Sequence, residues 1–243
     1  MSAHGDVVLT LGMNAPAAPD DAVPAATVIL LRDGYVGPEV LMLRRNSALT
    51  FAGGAWVFPG GRVDPEDIDP AAPHDGLAAA RNAAVREAAE EAAIELDASG
   101  FVVLSRWCPP PEAPKRFDTW FFVAAAPASH EVTIDGGEIH DHAWIRPADA
   151  LARRDAGEIE LIPPTWVTLH RLAGFTDVGA ALADLAAAPV EEFVTRVGRK
   201  GDDGIRMILW EPDVAYGGGD VDAPGPRHRL TMDAAGWDYE RSF

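Results

Sequence analysis

Apolar residues fall in short blocks punctuated by glycine, proline and acidic clusters, and one long stretch departs from that rhythm. Ala26-Thr27-Val28-Ile29-Leu30-Leu31-Arg32 is rich in β-branched residues and stops at Asp33-Gly34, which predicts a strand. Residues 39–45, ending on Arg44-Arg45, predict the strand that pairs with it. Ala55-Trp56-Val57 runs into Phe58-Pro59-Gly60-Gly61. This predicts a strand ending in a glycine turn, because Pro59 removes a ladder donor and the glycines admit backbone angles closed to other residues. Residues 62–76, with Asp64-Pro65-Glu66-Asp67 and Pro73-His74-Asp75-Gly76, predict a surface loop. From about Leu77 to Leu96 the chain is dominated by Ala, Glu, Leu and Arg without Gly or Pro, and this predicts a helix.

Downstream, residues 101–104 predict a short strand, and Cys108-Pro109-Pro110-Pro111 an irregular connection. Residues 116–126 predict the strongest strand, with aromatic rings filling a core. A strand ending at Trp144 precedes a helix over 147–154. Residues 164–174 and 177–188 carry apolar positions at helical spacing and predict an appended helical cap. A late strand over 205–210, a flexible connector over 217–226 and a last strand or arm at Arg227-His228-Arg229-Leu230-Thr231-Met232 complete the reading. The basic residues of that arm meet either an anionic ligand or the acidic body of the protein.

The predicted helix over 77–96 carries the candidate chemistry. Glu87, Glu90 and Glu91 stand at i, i+3 and i+4, so their carboxylates share one face and repel by roughly 0.2–0.5 kcal/mol per pair. Arg86 reaches Glu90 at i+4 and neutralises part of the cluster. The remaining carboxylates suit a hard divalent cation, with Mg²⁺ leading and Mn²⁺ the alternative; the competing reading is a solvated acidic face.

Paired with the upstream glycine turn, this helix resembles the box of the Nudix hydrolase superfamily, G-x5-E-x7-R-E-U-x-E-E-x-G-U with U aliphatic. Gly61 matches the opening glycine, followed by Arg86-Glu87, Ala88 in an aliphatic slot, Glu90-Glu91 and Ile94. About eleven extra residues separate Gly61 from Arg86, and Ala93 replaces the late glycine. Ala78 stands at the early glutamate counted back from Arg86, and Asp67 at the same offset counted forward from Gly61. An interrupted box after Phe-Pro-Gly-Gly, with residues 116–122 and Pro163-Pro164-Thr165, resembles the coenzyme A and acyl-coenzyme A diphosphatase branch. Of the upstream signature of coenzyme A enzymes, Arg45, Leu49 and Gly54 are kept, whereas Asn46, Ala52 and Ala55 replace its Ser, His and Glu.

The resemblance implies an α/β/α sandwich of α+β type with a mixed sheet. Its core would span residues 25–157, after an N-terminal arm over 1–24 and before C-terminal helices, late strands and a tail over 158–243. It implies Glu87, Glu90 and Glu91 as ligands of Mg²⁺ or Mn²⁺, with Glu87 or Glu138 as general base and Arg86 as a structural ion-pair partner. Glu138, ahead of Asp141, is expected to face the metal helix across the cleft. Arg44 or Arg45 meets a substrate phosphate or forms a solvated pair, and the Gly60-Gly61 backbone shapes the turn beside the phosphates. His140 and His142 are read as surface histidines rather than a zinc site. The implied reaction is hydrolysis of coenzyme A or acyl-coenzyme A to 3′,5′-ADP and (acyl-)phosphopantetheine. Alternatives are ADP-ribose, NADH or another nucleoside diphosphate derivative as substrate, or a non-catalytic nucleotide sensor.

Composition narrows the partners. A net charge of −18 over 243 residues repels phosphate backbones and anionic lipid, disfavouring nucleic acid and membrane. It repels an anionic nucleotide as well, so a substrate pocket must be locally positive through Arg, Lys and metal. The single cysteine, Cys108, excludes an internal disulfide framework and suits a reducing, cytoplasmic setting. No secretory signal or membrane span is expected. A homodimer contact through the C-terminal helices is the remaining partner expectation.

Overall fold

A computed structural model describes residues 22–49, 52–128, 131–134, 136–200 and 205–243. Residues 1–21, most of the expected arm, lie outside the described residues. The strand β1 (Val23–Asp33) begins before Ala26, so Val23 and Pro24 belong to the sheet rather than to an arm.

β1 is central, buried without a break from Ala25 to Leu31, which accounts for its continuous apolar run. One edge runs parallel to β6 (Phe117–Ala125), from Val23 beside Phe117 to Leu31 beside Ala125. The other edge is shared. β2 (Pro38–Arg45) pairs antiparallel with it from Leu31 to Asp33, and β4 (Gly60–Arg62) pairs antiparallel from Ala25 to Thr27. β3 (Trp56–Val57) and β7 (Ile139–Ile145) border β2; β5 (Val102–Cys108) borders β6, and β8 (Glu191–Val194) runs parallel to β5 outside it. Among the described residues these eight strands form one mixed sheet.

Each face of the sheet carries helices. Ala26, Val28 and Leu30 pack beneath α1 (Gly76–Ala92), whose Ala80, Ala83, Ala84, Ala88 and Ala92 are fully buried. Ile29, Leu31, Val40 and Met42 face the opposite way, toward α2 (Pro147–Asp155), α3 (Pro163–Leu172) and α4 (Val178–Ala187). The expected α/β/α sandwich with a mixed sheet is therefore present. A second, antiparallel sheet follows in the order β12-β11-β10-β9, from β9 (Arg196–Lys200), β10 (Ile205–Leu209), β11 (Arg227–Asp233) and β12 (Gly236–Ser242).

Several expectations are corrected. Beyond the late strands expected over 205–210 and 227–232, the C-terminal part adds β8, which extends the core sheet, and β9 and β12, which complete the second one. Residues 62–76 are not uniformly loop: Arg62 ends β4, and Pro65–Asp67 forms a 3-10 turn. The strand expected over 101–104 extends to Cys108. The 217–226 segment is tied down rather than flexible, with Gly218 N–H on the Ala215 carbonyl, Ala223 N–H on Asp220 and Val214 N–H on Pro226.

The helix expected to reach Leu96 stops at Ala92, because Ala93 takes a left-handed conformation (φ 55°, ψ 33°). Its N–H reaches back to the Ala88 and Ala89 carbonyls, and the next N–H, from Ile94, bonds the Ala88 carbonyl at 3.2 Å. This is a C-terminal cap that glycine ordinarily fills. An L-residue there costs about 1–2 kcal/mol, against roughly 0.5–1 kcal/mol of extra chain entropy for glycine. Ala93→Gly is therefore expected to stabilise the fold by about 0.5–1 kcal/mol, raising the thermal midpoint by about 1–4 °C. An unchanged or lowered midpoint in a calorimetric scan counts against this strain.

Candidate functional site

The site forms where β4, the start of its following turn, α1 and the end of β2 meet. Thr27 on β1 donates its hydroxyl to the Pro59 carbonyl at 2.6 Å, and Val28 N–H bonds the same oxygen at 2.9 Å. That pins the Phe-Pro-Gly-Gly corner to the central strand. The corner in turn fits only glycine: a Cβ on Gly61 would overlap the Glu87 carboxylate, and one on Gly60 would meet the Ala26–Thr27 backbone. The absence of side chains thus lets α1 carry its carboxylates against the backbone.

Glu91 lies deepest. Its side chain is 7% exposed, and its Oε2 accepts from Gly60 N–H at 3.0 Å. Burial pushes its carboxyl up to about 8; the Gly60 bond and Arg45 oppose the rise, and the charges of Glu87 and Glu138 add to it. Glu87 is also raised, first by burial, with Arg86 opposing and Glu90 and Glu138 adding. These influences place the carboxylates of Glu87, Glu91 and Glu138 in one electrostatic neighbourhood. Glu90 differs: it is largely exposed and held outward by Arg86 Nη1 at 3.1 Å.

Arg86 organises the acidic side. It donates through Nε and Nη2 to Asp67 at 3.1 and 3.0 Å, through Nη1 to Glu87 at 2.9 Å, and through Nη2 to the Arg62 carbonyl at 3.0 Å. Asp67 is itself buried and accepts from Asp64 N–H at 2.8 Å. Asp67 was not among the expected site residues, yet its offset from Gly61 was the signal: the position forward of the glycine, not that counted back from the arginine, supplies the anchor.

Strand alternation puts Arg44 and Arg45 on different faces of the sheet. Leu41 and Leu43 lie under α1, so Arg45 continues that face. Arg44 falls on the other face and is exposed. Arg45 spans two carboxylates, with Nη1 3.8 Å from Glu91 Oε1 and Nη2 3.3 Å from Glu138 Oε2. Glu138 arrives there through an irregularity in β7: Arg44 pairs with Asp141 but Arg45 with Ile139, leaving His140 as the extra residue. Asn46 fixes the junction, its N–H bonding the Glu138 carbonyl at 2.7 Å and its side chain the Gly137 carbonyl at 3.0 Å. Asp141, the second choice, pairs with Arg44 and caps His142 N–H at 2.8 Å. His140 is exposed and His142 half-buried, and no zinc-like set surrounds them among the described residues.

Oxygen-only donors, two of them desolvated and raised, match the chemistry a hard dication requires. Among the described residues, however, no three acidic, His or Cys side chains converge on one point for a metal ion. Arg86 pairs with Glu90 at 3.1 Å, and Arg45 lies 3.8 Å from Glu91 and 3.3 Å from Glu138. The donors fit a divalent cation while two arginines hold them. Thiol chemistry is absent from the site, since Cys108 is buried on β5 and burial pushes it up to about 12. No helix among the described residues is long and apolar enough to cross a membrane.

Comparison with known proteins identifies the family. A Caenorhabditis elegans protein provisionally named nudix hydrolase 7 is 30% identical over 174 residues, and the match spans 57% of each chain. The crystal structure of a NUDIX hydrolase from Alicyclobacillus acidocaldarius superposes with a TM-score of 0.62 at 27% identity, covering 70% of this chain and 99% of that one. The NUDIX domain family model matches residues 21–164, more than half of the protein, and the chain belongs to the Nudix family.

Proposed function

We propose that the protein hydrolyses a diphosphate linkage with the help of a divalent cation, acting on coenzyme A or acyl-coenzyme A to release 3′,5′-ADP and (acyl-)phosphopantetheine. The observation that carries this reading is the set of Glu87, Glu91 and Glu138 gathered with Arg45 beside the Gly60-Gly61 corner. Glu91 and Glu87 are the metal ligands, and Glu90 divides its role with Arg86. A bound Mg²⁺ or Mn²⁺ neutralises phosphoryl oxygens and lowers the pKa of water. The protein's own groups do the rest. Arg45 offers a guanidinium fork to a phosphate, the glycine corner lets the substrate approach the backbone, and Glu87 or Glu138 receives the proton of the attacking water. Asp67 fixes Arg86, which fixes Glu87.

The coenzyme A reading is supported by Arg45, Leu49 and Gly54, retained ahead of the Phe-Pro-Gly-Gly corner. Incubation with coenzyme A, acetyl-coenzyme A, ADP-ribose and NADH, each with Mg²⁺ or Mn²⁺, tests it by separation of the products. The expected product is 3′,5′-ADP. Turnover of ADP-ribose or NADH with coenzyme A untouched shifts the substrate within the same chemistry. Binding of nucleotides without turnover of any of the four sinks the hydrolase and leaves a sensor.

A further inference from the structure

We propose that Arg45 is a counter-ion, tethered by Glu138, that competes with the metal for Glu91, and that it transfers to the substrate diphosphate when the metal takes Glu91. The inference rests on the hydrolase reading above and adds a regulated order to it: without substrate, arginine and metal oppose each other.

Arg45 differs from three other arginines of low exposure. Arg229 grips Asp213 with two bonds of 2.7 and 2.6 Å, Arg106 grips Asp118 at 2.9 and 2.6 Å, and Arg86 grips Asp67 at 3.1 and 3.0 Å. Those are built pairs, each with a two-pronged fit. Arg45 instead touches two carboxylates at 3.8 and 3.3 Å without a two-pronged fit to either. Its Nε is buried and has no hydrogen-bond partner among the described residues. Five donors in a fixed fork are thus poorly used, although the side chain is only 17% exposed. A guanidinium held this way is a compromise among neighbouring negative charges. The same fork matches two phosphate oxygens well, so a diphosphate offers it a better partner than the pair it leaves.

Competition for common oxygens has a thermodynamic consequence. Whatever removes Arg45 from Glu91 must strengthen metal binding in the absence of substrate, by reciprocal coupling. Removing the same group weakens catalysis, because the phosphates lose their fork. The two effects have opposite signs, and a purely structural arginine cannot produce that combination.

The experiment is a Mn²⁺ titration of the full chain without substrate, by calorimetry or electron paramagnetic resonance, for wild type, Arg45→Gln, Arg45→Lys and Glu91→Gln. Arg45→Gln is expected to bind Mn²⁺ about threefold to tenfold more tightly, while kcat/KM for the diphosphate substrate falls about 100-fold or more. Arg45→Lys keeps the charge and loses the fork, so its Mn²⁺ affinity is expected to stay within about twofold of wild type while kcat/KM still falls. Unchanged or weaker Mn²⁺ binding by Arg45→Gln, with Glu91→Gln still abolishing it, overturns the exchange alone. Absence of any Glu91-dependent Mn²⁺ binding in the wild type overturns the metal site itself, and the exchange with it. If Arg45→Gln does not fold, Arg45→Lys decides: weakened Mn²⁺ binding overturns the exchange, and retained binding with lost turnover supports it.

Discussion

Replacing Glu91 with glutamine is expected to lower metal-dependent turnover by about 10³-fold while preserving the fold, the scale set by losing several kcal/mol of charge stabilisation. Glutamine keeps the shape and can still meet Gly60 N–H through its carbonyl oxygen, so the corner should survive. What it lacks is the negative charge that a cation requires. The same variant has a second signature in metal-free buffer. Glu91 holds its proton up to about pH 8 in the folded protein, against an ordinary value of 4.5. A raised carboxyl contributes stability that is fully present below its unfolded value and is lost as the pH rises through the folded one. Wild type in a chelator should therefore lose stability between about pH 4.5 and 8 through this group, and Glu91→Gln should lack that part of the decline. Adding Mg²⁺ at pH 8 should restore wild type and leave the variant unmoved. Thermal scans across this range, beside initial rates, check both halves; near-wild-type turnover in the variant removes Glu91 from the metal site.

The largest expected effect on stability lies far from that cleft, at the buried pair of Asp213 and Arg229. Their side chains are 0% and 3% exposed. Asp213 also accepts from the His228 and Ala215 backbone N–H groups, both at 2.9 Å, and Arg229 donates to the Val221 carbonyl at 2.8 Å. Burial alone would raise Asp213, but Arg229 and the two N–H groups outweigh it and hold the carboxyl below its usual 3.8. The pair fastens the chain between β10 and β11 onto β11. Asp213→Asn leaves a buried guanidinium uncompensated, and the expected loss is about 3–5 kcal/mol in urea unfolding. Exchanging both partners for apolar residues of similar volume should cost less than removing the carboxylate alone. Because the folded value is lowered, this stabilisation is present above pH 3.8 and disappears as the pH falls through the native value. A loss below about 1 kcal/mol in Asp213→Asn indicates that water reaches the guanidinium.

Sequence periodicity carried much of this arrangement. The i, i+3, i+4 spacing of Glu87, Glu90 and Glu91 placed three carboxylates on one helical face, and β1 was legible from its run of β-branched residues. Alternation along β2 already separated Arg44 from Arg45, since Leu41, Leu43 and Arg45 share a face. Other features depend on contacts that no local pattern encodes. Glu138 reaches the cleft only because one residue of β7 is left over opposite β2, and a single-residue slip inverts which side chains point inward. Asp67 was hidden by the extra chain before Arg86, which made the two counting directions disagree. The second sheet was half seen: β10 has an apolar run and β11 a short Leu-Thr-Met stretch, whereas the edge strands β9 and β12 mix polar and charged residues, and each owes its pairing to the one strand beside it. Of the basic residues of β11, Arg229 meets the acidic body through Asp213.

The parallel docking of β8 onto β5 bears on where the protein can be cut. The family match ends at residue 164, well before β8 begins at Glu191. A chain shortened to that limit would bare the outer rim of β5, with its row of unpaired amides, together with Trp107, which stacks on Phe193 at 3.9 Å. An open rim beside an uncovered aromatic ring is a template for self-association. The portion matched by the family model is therefore expected to draw its solubility from the residues that follow.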